Sequence, residues 1–307
     1  MLISAGCLNT TSEATTPGTE EQNNSPEELI ILTHDSFDIG EDVIKEFEVQ
    51  YNAKINIVKA GDAGEVLNKS ILSKGNPLGD VLYGIDNTFL TRALDEQIFI
   101  PYRSPALSNV PAQYHLDVTN HVMPINYGFV AINYDKQWIE NQNLTPPETL
   151  QELTSDKWSG KLVVQNPATS SPGLAFLLTT IAQFGETGTY TYTDYWQDLK
   201  DNQTLVKNGW SDAYYGDFTM AGGDRPLVVS YTTSPAAEVY YSEGAFSEPP
   251  TGNVLGPETA FLQIEGAGIL VGTPHVELAQ RFIDFAMGTT FQQDFPARMW
   301  VFPVNPE

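Results

Sequence analysis

From residue 29 onward, short apolar segments alternate with segments whose apolar residues recur every three or four positions. The first pattern is typical of buried strands and the second of helices packed on a sheet. In the first part of the chain they predict strands Leu29–Thr33, Lys54–Val58 and Asp80–Gly84, and helices Glu41–Tyr51, Ala63–Ile71 and Thr88–Leu94. This βαβαβ order predicts a parallel sheet with right-handed crossovers. Ligands of such sheets bind beyond the strand carboxyl ends, where His34–Phe37 and Gly84–Thr88 lie.

A second α/β set follows the first. It is predicted to contain strands Lys161–Gln165 and Leu227–Tyr231, and helices Pro172–Gln183, Tyr192–Leu199 and Pro235–Tyr241. A further strand, Gln263–Val271, and a helix, Pro274–Met287, are predicted after it. Between the sets, Tyr127–Tyr134 predicts a strand long enough to cross between two lobes. A length of 307 residues also predicts about two domains. We expect a first lobe over residues 29–126, a second over 127–255, and a return to the first lobe with C-terminal helices over 256–307.

Two strands run into hydroxyl-rich turns that are followed by helices, in segments Asn166–Phe176 and Val228–Ala236. In each turn a Ser-Pro pair predicts a helix start, with Ser171 and Ser234 as N-caps. The free N–H groups and partial positive charge of a helix start suit a small polar or anionic group. Two such starts predict a ligand-binding cleft. The alternative is two well-capped helices without a ligand.

The chain is strongly acidic, with 39 Asp and Glu residues against 15 Lys and Arg and a net charge of −24. Proteins that bind nucleic acid depend on Lys and Arg contacts with phosphates. This composition therefore excludes nucleic acid as a partner. An acidic surface is typical of a solvated, salt-adapted protein, and it also attracts cationic ligands weakly.

The N-terminal segment predicts a membrane anchor. Leu2–Cys7 places small residues before the single cysteine, as at the end of a lipoprotein signal, and Cys7 would carry the lipid. Residues 8–28 are rich in Thr, Ser, Glu, Asn and Pro, a composition that favours a disordered tether. Residues 1–28 are thus predicted to be a lipoprotein-like leader and tether, with the protein at the outer face of the cytoplasmic membrane or in the periplasm. The alternative is a chance cysteine.

The sequence lacks the usual signatures of catalysis. Its four histidines, His34, His115, His121 and His275, do not have the spacing of metal ligands. It contains neither a Gly-x-Ser-x-Gly motif nor a phosphate loop. We expect no catalytic residues, no metal site and no cofactor. A purely adhesive surface protein, without a closed pocket, is a further alternative.

Several segments, taken together and in order, resemble the thiamine-binding substrate-binding proteins of ABC importers. They are Asp35–Phe37, Gly84–Asn87, Asn126–Gly128, Asn166–Leu174, Gly209–Tyr214, Ser230–Ala236 and Trp300–Val304. The resemblance covers nearly everything from about residue 29 to the end. It implies an α/β, two-lobed type II periplasmic-binding-protein fold with hinge strands and an interlobe cleft. It also implies a monomer that binds thiamine or a thiamine phosphate and works with ABC permease and ATPase subunits.

The same resemblance implies a set of ligand-binding residues. Trp210 and Tyr231 match positions that line the ligand, and the thiazolium cation of thiamine is attracted to such rings. The further candidates are Asp35, Asp86, Asn87, Ser170, Ser171, Tyr214, Thr232, Thr233, Ser234 and Trp300. Four of the candidates have structural alternatives: Trp210 as a core aromatic, Asp86 as a helix cap near Thr88, Trp300 as a cover of the lobe, and Asp35 as a turn residue.

A ferric-iron-binding protein is the alternative within transport, because such proteins resemble one another in their adjacent tyrosines. Tyr214-Tyr215 and Tyr240-Tyr241 are pairs of this kind, and phenolates suit Fe³⁺. The chain departs from the thiamine-binding pattern at Asp38–Glu41, where relatives often place a Trp. We also expect neutral donors, rather than Arg225 or Arg298, to meet any phosphate group. Thiamine and its monophosphate should therefore bind comparably, and the pyrophosphate no more tightly.

Overall fold

The computed structural model describes residues 25–306. The predicted lipidation site at Cys7 and most of the predicted tether lie outside these residues. The described part forms a mixed α/β structure with one continuous sheet. Its strands are β1 Glu27–Thr33, β2 Ala53–Lys59, β3 Val81–Asp86, β4 Phe99–Ile100, β5 Met123–Asp135, β6 Leu162–Gln165, β7 Leu205–Lys207, β8 Leu227–Tyr231, β9 Thr251–Asn253, β10 Phe261–Leu270 and β11 Phe302–Pro303.

Helices cover both faces of this sheet. The α-helices are α1 Glu41–Tyr51, α2 Ala63–Leu72, α3 Leu90–Asp95, α4 Lys136–Asn141, α5 Ser171–Phe184, α6 Tyr192–Asp201, α7 Ser234–Tyr241, α8 Val276–Ala286 and α9 Thr289–Arg298. Short 3₁₀ turns lie at Pro105–Asn109, Ala112–Tyr114, Gln151–Thr154, Asp156–Trp158 and Thr219–Ala221, and a single π-helical turn at Asp212–Asp217. No helix within residues 25–306 is both long enough and apolar enough to cross a membrane.

The strand order is β2-β1-β3-β10-β5-β8-β6-β7. β1 pairs in parallel with both β2 and β3, which confirms the parallel βαβαβ unit predicted for the first lobe. In the second lobe, β6 pairs in parallel with β7 and β8. The long strands β5 and β10 join the two lobes, and they are antiparallel to each other.

The crossing strand predicted at Tyr127–Tyr134 is β5, which is longer than predicted at both ends. Its first half pairs with β10, from Met123 to Val130, and its second half pairs with β8, from Val130 to Tyr134. One strand thus belongs to the sheets of both lobes. The hinge strands of the expected fold are therefore present, while the exact lobe boundaries at residues 126 and 255 stay predictions.

Each lobe has apolar cores on both faces of its part of the sheet. In the first lobe, Phe47, Tyr83 and Phe282 belong to one core, and Leu67 and Leu82 belong to the other. In the second lobe the corresponding residues are Trp158, Tyr195 and Leu199 on one face, and Val163 and Phe218 on the opposite face. Sheets that are buried on both faces leave their strand ends and loops to form binding sites.

The two hydroxyl-rich turns lead into helices, but the predicted N-caps were wrong by one residue. α5 begins at Ser171 and α7 at Ser234, so Ser170 and Thr233 are the N-cap residues, and neither side chain makes a capping hydrogen bond. Pro is tolerated throughout the first turn, because the N–H groups there have no partner within the helix. A Ser-Pro pair therefore indicates a helix start without fixing its first residue.

Candidate functional site

A cavity of about 540 Å³ lies between the lobes, within the range of small-molecule sites, about 300–1,000 Å³. It opens at the carboxyl ends of β1 and β8, as expected for α/β sheets. The starts of α2, α5 and α7 also meet there. Its wall is formed by His34, Asp35, Ser36, Asp62, Ala63, Asn126, Gly128, Ser171, Pro172, Trp210, Ser211, Tyr214, Tyr215, Tyr231, Thr233, Ser234, Ala237, Glu238, Tyr241, Gln263, Glu265 and Arg298 to Val301.

One side of the cavity is aromatic. The rings of Trp210 and Tyr214 are stacked, with centroids 4.9 Å apart and planes inclined by 22°, and Tyr231 lies 6.4 Å from Trp210. The Trp210 indole N–H donates to Ser230 Oγ at 2.9 Å, and the Tyr231 hydroxyl donates to Gln263 Oε1 at 3.0 Å. These bonds fix the ring orientations and leave π-faces in the cavity wall, a surface that attracts cations.

The π-helical turn Asp212–Asp217 places the second part of this aromatic side. It buries Ala213 and Tyr214 against the second lobe and leaves Tyr215 exposed at the cavity. Turns of this rare type often occur at functional sites. Adjacent side chains of an α-helix point about 100° apart and therefore face different surroundings. In this π-helical turn, both Tyr214 and Tyr215 line the cavity.

Carboxylates dominate the charge of the wall, where Asp35, Asp62, Glu238 and Glu265 all contribute. Glu265 is buried and accepts hydrogen bonds from His34 at 3.0 Å and from the Asn126 amide at 2.6 Å. Burial alone would lower the pKa of His34 and raise that of Glu265. The opposite charge of the partner reverses both effects, so the pKa of His34 is raised and that of Glu265 is lowered. When His34 is protonated, the two side chains therefore form a largely buried ion pair.

Gly84 makes the position of His34 possible. Its φ of +103° is in the left-handed region that favours glycine, and a Cβ atom there would overlap the His34 ring. The ring can thus lie against β3 and reach Glu265 on β10.

Glu238 is the carboxylate closest to the aromatic side. It accepts hydrogen bonds from the Tyr214 hydroxyl and from Thr251 Oγ1. Burial, followed by the nearby charge of Glu238, raises the pKa of the Tyr214 phenol far above its usual value. Tyr214 is consequently a neutral phenol whose proton points at Glu238.

Arg298 is a cation in the cavity wall. It lies at the end of α9, one of the C-terminal helices, whose bounds we did not predict. Its guanidinium forms ion pairs with Asp294 at 3.2 Å and Asp38 at 3.7 Å, so its charge is already balanced by carboxylates. Arg225 behaves as expected, because its guanidinium donates to the Gly160 carbonyl in the second lobe and it is outside the wall.

The structure brings eight of the twelve predicted ligand-binding residues together in the cavity wall. They are Asp35, Ser171, Trp210, Tyr214, Tyr231, Thr233, Ser234 and Trp300. Trp210 also packs against a core of the second lobe, and Trp300 packs against Tyr240 and Tyr241, so their structural alternatives stay open. Their contact with a ligand stays a prediction.

The other four predicted residues lie outside the wall, which is a correction. Asp86 is fully buried, and its Oδ1 accepts hydrogen bonds from the Thr88 N–H at 2.8 Å and the Phe89 N–H at 3.2 Å. These bonds agree with the alternative interpretation of Asp86 as a helix cap. Asn87 has both side-chain amide atoms bonded to β10, at Leu262 O and Ile264 N. Ser170 and Thr232 also lie outside the wall. Ser170 is fully buried, and the backbone of Thr232 bonds Phe129 and Asn253.

Asp86 nevertheless acts on the cavity through its charge. Burial raises its pKa to about 6, although hydrogen bonds from Thr88 favour the charged form. Burial and the charge of Glu265 raise the pKa of Tyr231, and the charge of ionised Asp86 adds to this rise and, after Glu265 and Asp62, to that of His34. Protonation of this one group therefore changes the electrostatics of the wall.

Several wall residues were not identified from the sequence, chiefly His34, Asp62, Asn126, Gln263, Glu265 and Arg298. His34 directly follows β1, in the segment His34–Phe37 that the sequence places at a strand end, but only Asp35 of this segment was expected to bind a ligand. Gln263 and Glu265 lie two apart on β10, so they share one face of a strand. Two polar residues on one face of a buried strand are a pattern in the sequence that could have indicated both Gln263 and Glu265.

Contacts between the lobes border the cavity on two sides. On one side the Trp210 N–H donates to Asp62 Oδ2, and the Gly64 N–H donates to Thr169 O, both at 2.9 Å. On the other, Thr233 Oγ1 donates to Trp300 O at 2.6 Å. Trp300 has a φ of +56°, an uncommon conformation for a large side chain. The lobes are thus in contact, and the cleft is closed.

Comparison with known proteins gives a consistent result. A family model described as bacterial extracellular solute-binding protein matches residues 76–307. The thiamine-binding periplasmic protein of Escherichia coli (strain K12) is 33% identical over an alignment of 287 residues that covers 90% of this chain and 80% of that protein. The solved structure of a periplasmic thiamin binding protein matches with a TM-score of 0.80 at 29% identity, over 96% of this chain and 87% of that one. A ferric binding protein from Campylobacter jejuni matches in fold, with a TM-score of 0.72 at 20% identity, over 91% and 87% of the two chains.

Proposed function

Because the chain belongs to the family of bacterial extracellular solute-binding proteins, we propose that its interlobe cavity binds thiamine and that the protein delivers this ligand to an ABC transporter. Such proteins work outside the cytoplasmic membrane with ABC permease and ATPase subunits. The observation that carries the proposal is one cavity in which an aromatic face adjoins several carboxylates. This combination suits a flat organic cation.

Thiamine matches the cavity group by group. Its thiazolium ring carries a positive charge, which the π-faces of Trp210, Tyr214 and Tyr231 attract. The carboxylates of Asp62, Glu238 and Glu265 give the wall a negative potential, which also attracts this cation. Its aminopyrimidine and hydroxyethyl groups need directional hydrogen-bond partners, which the wall contains in Asn126, Gln263, Ser171 and Ser234.

The phosphate esters of thiamine are bound without a strong preference. The α5 and α7 helix starts offer N–H groups for a phosphate near Ser171 and Ser234. Against this, the wall has more carboxylates than cations, and Arg298 is already paired with Asp294 and Asp38. Thiamine and its monophosphate bind comparably, and the pyrophosphate binds no more tightly. Competition titration of the three ligands tests this, and a strong preference for pyrophosphate would contradict it.

The iron alternative is less well supported. Fe³⁺ would be bound by phenolates, so an iron site at Tyr214 would have to replace the hydrogen bond that the Tyr214 hydroxyl donates to Glu238. Tyr240 lies outside the cavity wall, so the second predicted pair does not converge on the site.

Isothermal titration of the purified protein decides between these functions. We expect heat of binding with thiamine and one site per monomer. Heat with Fe³⁺ and none with thiamine or its phosphates would overturn the proposal. Mass spectrometry of the ligand released from natively purified protein is an independent check.

Three further parts of the proposal concern what surrounds the site. The protein acts as a monomer, without catalytic activity and without a cofactor. It is held at the membrane by a lipid on Cys7, with residues 8–28 as a tether; the order Ser-Ala-Gly-Cys and the polar composition after it support this. Replacing Cys7 with Ser in the full-length protein should release it into the soluble fraction. Unchanged fractionation would refute the anchor.

A further inference from the structure

The start of α2 contacts the second lobe through its backbone. Gly64 is the second residue of this helix, where N–H groups have no partner within the helix. Its N–H donates instead to Thr169 O, across the cleft, at 2.9 Å. Two residues earlier, Asp62 Oδ2 accepts the Trp210 N–H at 2.9 Å. Both bonds exist only when the lobes lie as close as they do here.

The space at Gly64 is too small for any side chain. A Cβ atom there would lie 2.7 Å from Ala168 O and 2.8 Å from the carbonyl carbon and Cα of Thr169. These are backbone atoms of the second lobe, so they cannot rotate away as a flexible side chain would. The lobes would have to separate to make room.

The helix itself does not need glycine at this position. Gly64 is helical and is not in the left-handed region, and alanine is the better helix former. The absence of a side chain therefore serves the approach of the second lobe and not the local backbone.

We propose that Gly64 sets how closely the two lobes approach each other, and that it thereby controls ligand affinity without lining the cavity. The inference rests on the proposed function, because ligand binding reports closure. Gly64 is a positioning residue that acts through its neighbours. When the lobes close onto it, Asp62 reaches the Trp210 backbone, and Trp210 carries the stacking face of the cavity.

The test is Gly64→Ala, with Gly64→Val as a larger step. We expect thiamine affinity to fall about tenfold in Gly64→Ala, which corresponds to the net contribution of about one hydrogen bond. In Gly64→Val the affinity should fall further. The ligand first enters the open cleft, and the lobes then close over it. A defect in closure should therefore raise the dissociation rate and leave the association rate nearly constant. Small-angle X-ray scattering should show less compaction with thiamine than in the wild type. The melting temperature without ligand should be equal or higher.

Gly75→Ala is the control, because a Cβ atom at Gly75 would meet no atom within 4 Å and Gly75 lies outside the cavity wall, in the loop after the same helix. Its affinity should equal that of the wild type. Wild-type affinity and compaction in Gly64→Ala would overturn the inference, as would a loss of affinity accompanied by a lower melting temperature and unchanged compaction. If the wild type itself does not bind thiamine, the proposed function fails and this inference with it. A failure of the inference alone leaves wild-type binding intact.

Discussion

Trp210 is the residue whose surroundings best explain how the site is held ready for a ligand. Its backbone N–H is bonded to Asp62 in the first lobe, and its indole N–H to Ser230 in the second. Tyr214 stacks on one of its faces. A ring that is fixed on three sides loses little conformational freedom on binding, which is the advantage of a preorganised site.

Trp210→Ala removes this face, and we expect it to weaken thiamine binding by about 1–2 kcal/mol, the range of a desolvated cation–π contact. Trp210→Phe should lose less, because a smaller π-face remains. Titration calorimetry of both variants measures the change. Trp138→Phe in α4, outside the cavity wall, is the control that should leave affinity unchanged. An unaltered dissociation constant for Trp210→Ala would exclude the ring from the site.

The His34–Glu265 pair and Asp86 make stability depend on pH. The raised pKa of His34 contributes stability that is full below 6.5 and is lost as pH rises through the folded value. The lowered pKa of Glu265 contributes stability that is full above 4.5 and is lost as pH falls. Asp86, raised from 3.8 to about 6, favours its protonated form in the folded protein, so its contribution is also lost as pH rises.

We therefore expect the ligand-free protein to unfold more easily at about pH 8 than at about pH 5, by urea denaturation. Asp86→Asn should make the difference smaller, because Asn stays neutral at both pH values. His34→Gln should also make it smaller, by removing the group whose protonation completes the ion pair. If both variants kept the wild-type difference, these groups would not be its source.

Among the elements, α6 shows how much a helix cap outside the site contributes to stability. Thr191 and Asp194 form a reciprocal capping box at its start, with the Thr191 N–H donating to Asp194 Oδ2 at 2.8 Å. Thr191→Ala should lower the free energy of unfolding by about 1 kcal/mol, as for loss of an N-cap. Thiamine affinity should not change, because α6 is remote from the cavity wall. Chemical denaturation together with titration calorimetry tests both parts, and an affinity loss would contradict the separation of fold and site.

Elements with a strong hydrophobic period were predictable from the sequence. α1 was predicted with its exact ends and β8 likewise, because their apolar residues follow a clear period. The bounds of α9 were not predicted, since Pro296 lies within it and its polar residues obscure the pattern. The π-helical turn has no sequence signature of its own. As a result, Arg298 and the placement of Tyr215 could not be expected.

The site was predictable where strand ends carry its side chains, as for Tyr231 and Ser234 after β8. It was not predictable where a polar side chain serves the backbone instead. Asp86 and Asn87 end β3 in the expected place, but they bond Thr88 and β10 rather than facing the cavity. A sequence places a residue near a site, whereas competition among local hydrogen-bond partners decides where its side chain points.

At the scale of the whole molecule, a net charge of −24 acts on both folding and binding. Raising the salt concentration from about 0.1 M to about 1 M shortens the screening length from about 10 Å to about 3 Å. Repulsion among surface carboxylates then falls, so we expect the free energy of unfolding to rise. The attraction of the cavity for a cation weakens at the same time, so thiamine affinity should fall. Denaturation and titration over a salt series measure both trends, and parallel changes in the two quantities would contradict this account.

The two strands that join the lobes also bear on how such proteins diversify. The chain leaves the first lobe along β5 and comes back along β10, and at the crossing point Val130 and Phe261 are directly paired. Residues 131–260, which lie between them, therefore form a cassette, that is, one continuous segment inserted at a single place in the first lobe. Most of the aromatic side of the cavity, with Trp210, Tyr214 and Tyr231, belongs to the cassette, while His34, Asp62 and Glu265 belong to its host. Recombination at this single junction would exchange one half of the recognition surface and keep the other, so new ligand preferences need not arise one substitution at a time.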